Sequence, residues 1–135
     1  MPTTVSVHKN VETVRRGYQA FNAADLKTLA GLFHEDASWH VPGRSTISGD
    51  YKGRDAVFAF FGRLGQETGG TLQARLLHLL ADEDGRVAAV QHDTAQRGGK
   101  RLIVDSCIVF EFKNGLVISG TEYIRDLHAF EEFWS

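Results

Sequence analysis

The chain has 135 residues, of which 42% are hydrophobic and 24% are charged, and its formal net charge is −2. This length suits one domain, so residues 1–135 are expected to fold around a single core. The sequence has no dense run of lysine and arginine, which argues against nucleic acid as a partner. A lone cysteine, Cys107, excludes an internal disulfide, and no segment approaches the ~18 apolar residues of a membrane span. We therefore expect a soluble, cytoplasmic protein that does not bind membranes.

The first half of the sequence has helical periodicity. An apolar stripe with helical spacing predicts a first helix, with Ser6 as its N-cap; the stripe consists of Val7, Val11, Val14, Tyr18 and Phe21. Asn22 or Asp25 could cap a second, shorter helix. A third helix is expected to begin at residues 53–55 and to end at the glycine pair 69–70.

Strands are predicted mainly in the second half. A short strand at 37–41 is stopped by a proline-glycine pair, and a short extended piece follows at 48–52. From Thr71 onward the apolar period is two, and turn residues, including an Asn-Gly pair, separate the segments. The segments are 71–81, 86–97, 101–112 and 116–125. Helices followed by an antiparallel meander predict an α+β fold.

Two stretches carry a resemblance to a known family. YQAFNAADLKTLAGLFHEDASWHVPGRSTISGDYKGRDAVFAFF and FEFKNGLVISGTEYIRD resemble the nuclear transport factor 2-like superfamily, in its SnoaL-like branch beside the ketosteroid isomerases. The resemblance covers about residues 7–134. It implies a cystatin-like α+β barrel: a cone-shaped, strongly curved antiparallel sheet, with the three helices of the first half enclosing a pocket. It also implies a homodimer formed through the convex face of the sheet.

The chemical positions of the isomerases are not kept. Those enzymes use an aspartate base, with a tyrosine and a protonated aspartate as oxyanion donors. In the register that the resemblance implies, the base falls on Val41, the protonated aspartate on Ile108 and a supporting tyrosine on Phe61. The oxyanion tyrosine falls on Gly17, with Tyr18 one residue away. Proton abstraction by that arrangement is therefore not expected.

The same register and the alternation of side chains assign strand faces. Trp39 is expected to point into the pocket and His40 to point out. On the last strand, Ile118 is expected on the inner face. Four polar side chains share the inner faces: Gln91, Asp93, Ser106 and Glu122. A carboxyl group buried among apolar side chains has a raised pKa and can exchange protons near neutral pH.

These positions yield a hypothesis for a catalytic site. Asp93 and Glu122 are the candidate catalytic groups, acting on a small apolar substrate that bears a carbonyl, hydroxyl or epoxide oxygen. The residues expected to bind this substrate are Tyr18, Trp39, Val41, Phe58, Phe61, Gln91, Ser106, Ile108 and Ile124. The aromatic C-terminal segment 127–134 could cover the pocket or pack across the dimer, and packing across the dimer is favoured.

Simpler interpretations stay open at this point. Asp93 could pair with Arg97 or Arg101, and Glu122 with Arg125, as ordinary surface ion pairs. A slip of one residue in strand register would bring other side chains inside instead: His92, Cys107 and Tyr123. The six histidines show no metal-binding spacing, so no metal site is expected.

Two functions of different classes fit these observations. The first is a cofactor-free acid–base enzyme: an isomerase, cyclase, hydratase or hydrolase. The second is a non-catalytic module that binds an apolar ligand or forms a dimer. Inward-facing carboxyl groups favour the first, and the lost isomerase residues favour the second.

Overall fold

The computed structural model describes residues 3–135, which form four helices and six strands. In chain order these are α1 (Thr4–Asn22), α2 (Leu26–Ala30), β1 (Phe33–Val41), β2 (Gly49–Lys52), α3 (Arg54–Glu67), β3 (Gln73–Ala81), β4 (Val87–Arg97), β5 (Lys100–Lys113), β6 (Leu116–Ile124) and α4 (Leu127–Phe133). The predicted α+β class is confirmed. No helix within residues 3–135 is long and apolar enough to cross a membrane.

All six strands form one curved sheet in the order β2-β1-β6-β5-β4-β3. Strands β3 to β6 make the predicted antiparallel meander. One strand pair differs from the expected antiparallel sheet, because β1 runs parallel to β6, with Trp39 beside Gly120. Inner and outer residues alternate in the same way in either strand direction, so periodicity could not reveal this pairing.

Side chains cap the starts of α1 and α2. The Thr3 hydroxyl accepts a hydrogen bond from the Ser6 amide at 3.1 Å, so Thr3 is the N-cap of α1 and the prediction of Ser6 was wrong. Asp25 caps α2 by accepting from the Thr28 amide at 3.1 Å, one of the two predicted possibilities. Thr3 and Ser6 are both capping residue types, and only the backbone geometry distinguishes them.

The predicted inner and outer side-chain positions are correct on β4 and β5, but one of them differs on β6. A bulge interrupts the β5–β6 ladder where Glu111 pairs with Ser119 and Phe112 pairs with Val117. Val117 is therefore 2% exposed and takes the inner position that was predicted for Ile118. Beyond the bulge the alternation resumes, and Glu122 pairs with the buried Ile108. A bulge adds one residue to one strand, which a strict period of two does not anticipate.

Asn22 joins the end of α1 to the sheet. Its Nδ2 donates to the Ala74 carbonyl at 2.8 Å, and its Oδ1 accepts from the Ala74 amide at 2.9 Å. Strand β3 lies at the edge of the sheet, so these two backbone groups point away from the neighbouring strand. The side chain thus completes the hydrogen bonding of the edge strand.

We predict that Asn22→Ala lowers the free energy of unfolding by about 1–3 kcal/mol, because both groups of Ala74 lose their partner. Urea unfolding followed by circular dichroism measures the change. Gln19→Ala, an exposed position of the same helix, is the control and should stay within about 0.5 kcal/mol of the wild type. Equal stability of the two variants would contradict the proposed role of Asn22.

Candidate active site

A cavity of about 110 Å³ lies between the helices and the inner face of the sheet. Its wall is mostly apolar. The described residues that line it are Thr13, Val14, Gly17, Tyr18, Phe21, Leu29, Leu32, Phe33, Trp39, Ile47, Phe60, Phe61, Leu64, Leu72, Ala74, Gln91, Asp93, Leu102, Ile108, Phe110, Val117, Glu122, Phe130 and Trp134. Two carboxyl groups are thereby brought into one largely hydrophobic space.

Helix α4 supplies part of this wall. Phe130 and Trp134 line the cavity and are 4% and 2% exposed. The end of the helix is fixed by hydrogen bonds from other elements: the Thr46 hydroxyl donates to the Trp134 carbonyl at 2.7 Å, and Arg97 donates to the Phe133 carbonyl at 3.0 Å. The C-terminal aromatic residues therefore pack within their own chain and contribute to the cavity. The packing across a dimer that was favoured from the sequence is wrong for Phe130 and Trp134.

Asp93 lies on β4, is 8% exposed, and has hydrogen-bond donors on both carboxylate oxygens. Gln91 Nε2 donates to Oδ1 at 2.5 Å, and the Ser106 hydroxyl donates to Oδ2 at 2.7 Å. The Tyr18 hydroxyl in turn donates to Gln91 Oε1, so that a chain of donors leads from α1 to the carboxylate. These contacts replace the arginine partners that a surface ion pair would need.

Glu122 lies on β6 and has one donor. The indole Nε1 of Trp39 donates to Glu122 Oε2 at 2.6 Å. The indole can reach this position because Gly120, its neighbour on β6, has no side chain: a Cβ there would lie 2.2 Å from Trp39 Cζ3. Glu122 makes this bond rather than the ion pair with Arg125 that the sequence allowed.

Burial changes the proton affinity of all three acids. Loss of hydration raises the pKa of Asp93 to about 6, although hydrogen bonds from Ser106 and Gln91 oppose the rise. Loss of hydration also raises the pKa of Glu122 to about 7, opposed by the Trp39 bond and assisted by the charge of Asp93. The pKa of Tyr18 is raised well above its ordinary value by burial and by both carboxylates. Near neutral pH, one carboxyl of the pair can therefore be protonated while the other is ionised.

Seven of the residues proposed from the sequence meet at the cavity: Tyr18, Trp39, Phe61, Gln91, Asp93, Ile108 and Glu122. Four others lie outside its lining. Ser106 reaches the cavity only through Asp93, Phe58 packs behind Phe33 and Phe61, and Val41 is buried in the core at 1% exposure. Ile124 lies at the last residue of β6, where it packs on the core from outside the cavity.

The outer face of the sheet holds the residues that a register slip would have moved inward. His92 Nδ1 contacts Asp105 Oδ1 at 2.7 Å there, and Tyr123 is 58% exposed. The alternative register is therefore wrong. Among residues 3–135, no group of three histidine, cysteine, aspartate or glutamate side chains converges as a metal site requires.

The carboxyl pair predicts an unusual dependence of stability on pH. The unfolded carboxyls titrate near 4, below the folded pKa values of about 6 and about 7. The folded state thus binds more protons than the unfolded state between these limits, and stability falls as the pH rises from about 4 to about 7. For Asp93 alone the loss is about 3 kcal/mol, and Glu122 adds to it.

Urea unfolding at several pH values tests this prediction. Since other carboxyls, such as Glu67, have lowered pKa values and act in the opposite direction, the wild type is compared with Asp93→Asn/Glu122→Gln. The difference in stability between the two proteins should shift in favour of the variant as the pH rises through the window. A difference that does not vary with pH would show that neither carboxyl has a raised pKa.

Comparisons with known proteins identify relatives over nearly the whole chain. The SnoaL-like domain family matches residues 14–120. An uncharacterized protein of Mycobacterium tuberculosis is 32% identical over 126 residues, which is 93% of this chain and 96% of the relative.

Solved structures extend these comparisons to the fold. Bal32a, from a soil-derived mobile gene cassette, is 62% identical with a TM-score of 0.95 over 96% of this chain and 99% of its own. A putative polyketide cyclase of Xanthomonas campestris shares the fold at 18% identity, with a TM-score of 0.76 over 96% of this chain and 99% of its own. The chain belongs to the SnoaL-like domain family.

Proposed function

We propose that the protein is a cofactor-free acid–base enzyme that acts on a small, apolar substrate with a carbonyl, hydroxyl or epoxide oxygen. The observation that carries the proposal is the pairing of Asp93 and Glu122 in one apolar cavity. Two carboxyls in different surroundings can divide the roles of acid and base. Such a pair can serve isomerase, cyclase, hydratase and hydrolase reactions, and one structural relative is described as a putative polyketide cyclase.

The hydrogen bonds favour one division of roles. Asp93 accepts hydrogen bonds on both oxygens and has the lower pKa, about 6, so it is the group that ionises first. Glu122 has one donor and a pKa of about 7, so it keeps its proton longer. Asp93 is therefore the proposed base, and Glu122 is the proposed acid.

Two elementary reactions follow from this assignment. With a ketone, the Asp93 carboxylate removes a proton from the carbon next to the carbonyl while Glu122 protonates the carbonyl oxygen, which gives the enol. With an epoxide, Asp93 takes a proton from water, the water oxygen bonds to a ring carbon, the carbon–oxygen bond of the epoxide breaks, and Glu122 protonates the released oxygen to give a diol. Proton exchange with solvent restores both carboxyls.

The base in this proposal differs from that of the ketosteroid isomerases. The positions aligned with their acid–base residues hold Val41, Gly17, Ile108 and Phe61, which cannot exchange protons. Asp93 comes from a different strand, β4. A substrate would therefore react at a different point of the cavity wall.

Two simple substrates test the proposal. Deuterium uptake by cyclohexanone in D₂O is followed by NMR, and diol formation from cyclohexene oxide is followed by gas chromatography. A rate above solvent background in the wild type, lost in Asp93→Asn/Glu122→Gln, supports the acid–base enzyme. If ligands bind but neither reaction exceeds background in the wild type, the non-catalytic ligand-binding module is the better description.

The reaction as proposed draws on side chains alone and requires no cofactor. We further place the enzyme in the cytoplasm, because its single cysteine, Cys107, is free and free thiols persist in reducing compartments. Fractionation of cells that express the tagged protein would check this location.

A homodimer is proposed through the outer face of the sheet. This face exposes large apolar side chains on adjacent strands: Ile103 is 59% and Tyr123 is 58% exposed.

We predict that Ile103→Asp/Tyr123→Asp converts a dimer to a monomer, because the burial of four carboxylates per dimer would be costly. Light scattering after size exclusion measures the mass, with Leu26→Asp, at an exposed helical position, as the control. A wild-type monomer, or a dimer that survives both substitutions, would contradict this prediction.

A further inference from the structure

The charged groups of the cavity wall all have one sign. Asp93 and Glu122 are acids, and none of the described lining residues is a lysine, an arginine or a histidine. A ligand carboxylate or phosphate would therefore enter an apolar space that already contains acidic groups, without any cation to compensate it. Burial of an unpaired charge in such surroundings is strongly unfavourable.

The cavity also has little need of a ligand cation. Each oxygen of Asp93 accepts a hydrogen bond, from Gln91 or Ser106, and Glu122 accepts one from Trp39. Neutral donors therefore already occupy three of the four carboxylate oxygens to which an ammonium group would bind. An amine would have to lose its own hydration and compete with these donors.

The volume limits the size of the ligand. The cavity measures about 110 Å³, which is of the same order as the apolar cavity of about 150 Å³ that accepts a single ring, benzene, in another protein. Nine of the lining residues are aromatic, and Trp39 is fixed among the rings of Phe61 and Phe110 at 5.1 and 5.7 Å. Close-packed walls of this kind do not enlarge without displacing side chains.

We propose that the ligand of this cavity is an uncharged molecule of a single ring, whose one oxygen function hydrogen-bonds to the carboxyl pair, and that ions and fused-ring molecules are excluded. This inference rests on the function proposed above, for which it names the substrate class. It is tested by binding, however, so that it can fail or hold independently of turnover.

The experiment compares four probes of related shape. They are cyclohexanone, cyclohexylammonium, cyclohexanecarboxylate and the fused two-ring ketone 2-decalone, and dissociation constants are measured by ligand-observed NMR at pH 6 and pH 8. Cyclohexanone should bind at least tenfold more tightly than each of the others. Its affinity should fall at pH 8, because protonated Glu122 donates to the carbonyl oxygen. Cation binding would instead strengthen as the carboxyls ionise.

A cavity variant tests the size limit separately. Leu64 lines the cavity and is 7% exposed, so Leu64→Ala should admit 2-decalone at least tenfold better than the wild type does. Leu102→Ala, on the opposite wall, serves the same purpose if Leu64→Ala does not fold. The proposal is overturned if either ion binds as tightly as cyclohexanone, if wild-type protein accepts 2-decalone equally well, or if cyclohexanone does not bind. Binding of cyclohexanone without turnover would overturn only the proposed enzyme.

Discussion

Asp93→Asn is expected to lower the rate of cyclohexene oxide opening or cyclohexanone exchange by a factor of about 10²–10⁴, the usual contribution of a general base. Asparagine has nearly the same shape and can still accept the hydrogen bond from Ser106. It cannot take a proton, however, so the fold should remain while the reaction is lost. Initial rates at saturating substrate, with circular dichroism as a check of folding, measure the effect.

The pH profile distinguishes this role from a purely structural one. In the wild type the rate requires ionised Asp93, with a pKa of about 6, and protonated Glu122, with a pKa of about 7. The profile should be bell-shaped, with a maximum between these values, which belong to the coupled pair. Asp93→Asn removes the rise on the acid side from any residual activity, whereas Glu122→Gln removes the fall on the alkaline side.

A matched control excludes a general effect of lost charge. Glu35→Gln removes an exposed carboxyl from β1 that is not part of the cavity lining, and should keep both the rate and the profile. Carboxyl-carbon NMR titration of the wild type gives the two midpoints directly. If both carboxyls titrate near 4, or if Asp93→Asn retains full activity, Asp93 is not the base.

The inner positions of Asp93 and Glu122 could be predicted from the sequence because side chains alternate along a strand. The hydrogen bonds that these carboxyls make could not. Tyr18 reaches Gln91 only through the packing of α1 against the sheet, and Trp39 reaches Glu122 only because β1 lies parallel to β6. Contacts between elements depend on their relative placement, which no local period encodes.

Errors in the predicted cavity wall have the same origin. Val41 is buried and Phe58 partly buried, but both lie outside the cavity, while Phe130 and Trp134 approach it from the other end of the chain. Burial in the core and contact with a cavity produce the same apolar pattern in a sequence. The sequence did contain one indication of the Trp39 position. Gly120 lies in the middle of a strand, where glycine often indicates close approach by another group.

Gly120→Ala is expected to destabilise the protein by about 1–3 kcal/mol, as overpacked core positions do. The new Cβ would lie 2.2 Å from Trp39 Cζ3 and 2.3 Å from Cε3. Trp39 is 4% exposed and is enclosed by the rings of Phe61 and Phe110, so the indole cannot move freely. Its displacement breaks the hydrogen bond to Glu122, a contact that lowers the pKa of that carboxyl. Urea unfolding should show the lost stability, and carboxyl NMR should show a Glu122 midpoint above about 7.

Two further variants separate the steric effect from the lost hydrogen bond. Trp39→Phe keeps Gly120 and an aromatic ring but removes the indole N–H, so it should raise the pKa of Glu122 without a clash. In a Trp39→Leu background the clash is absent, so Gly120→Ala should cost less stability there than it does in the wild type, while the pKa stays raised. If Gly120→Ala is as stable as the wild type and Glu122 titrates unchanged, the indole does not depend on the missing side chain. If Gly120→Ala costs as much stability in the Trp39→Leu background as in the wild type, the clash lies elsewhere. The expected pattern would make Gly120 the residue that places Trp39 and, through it, sets the proton affinity of the proposed acid.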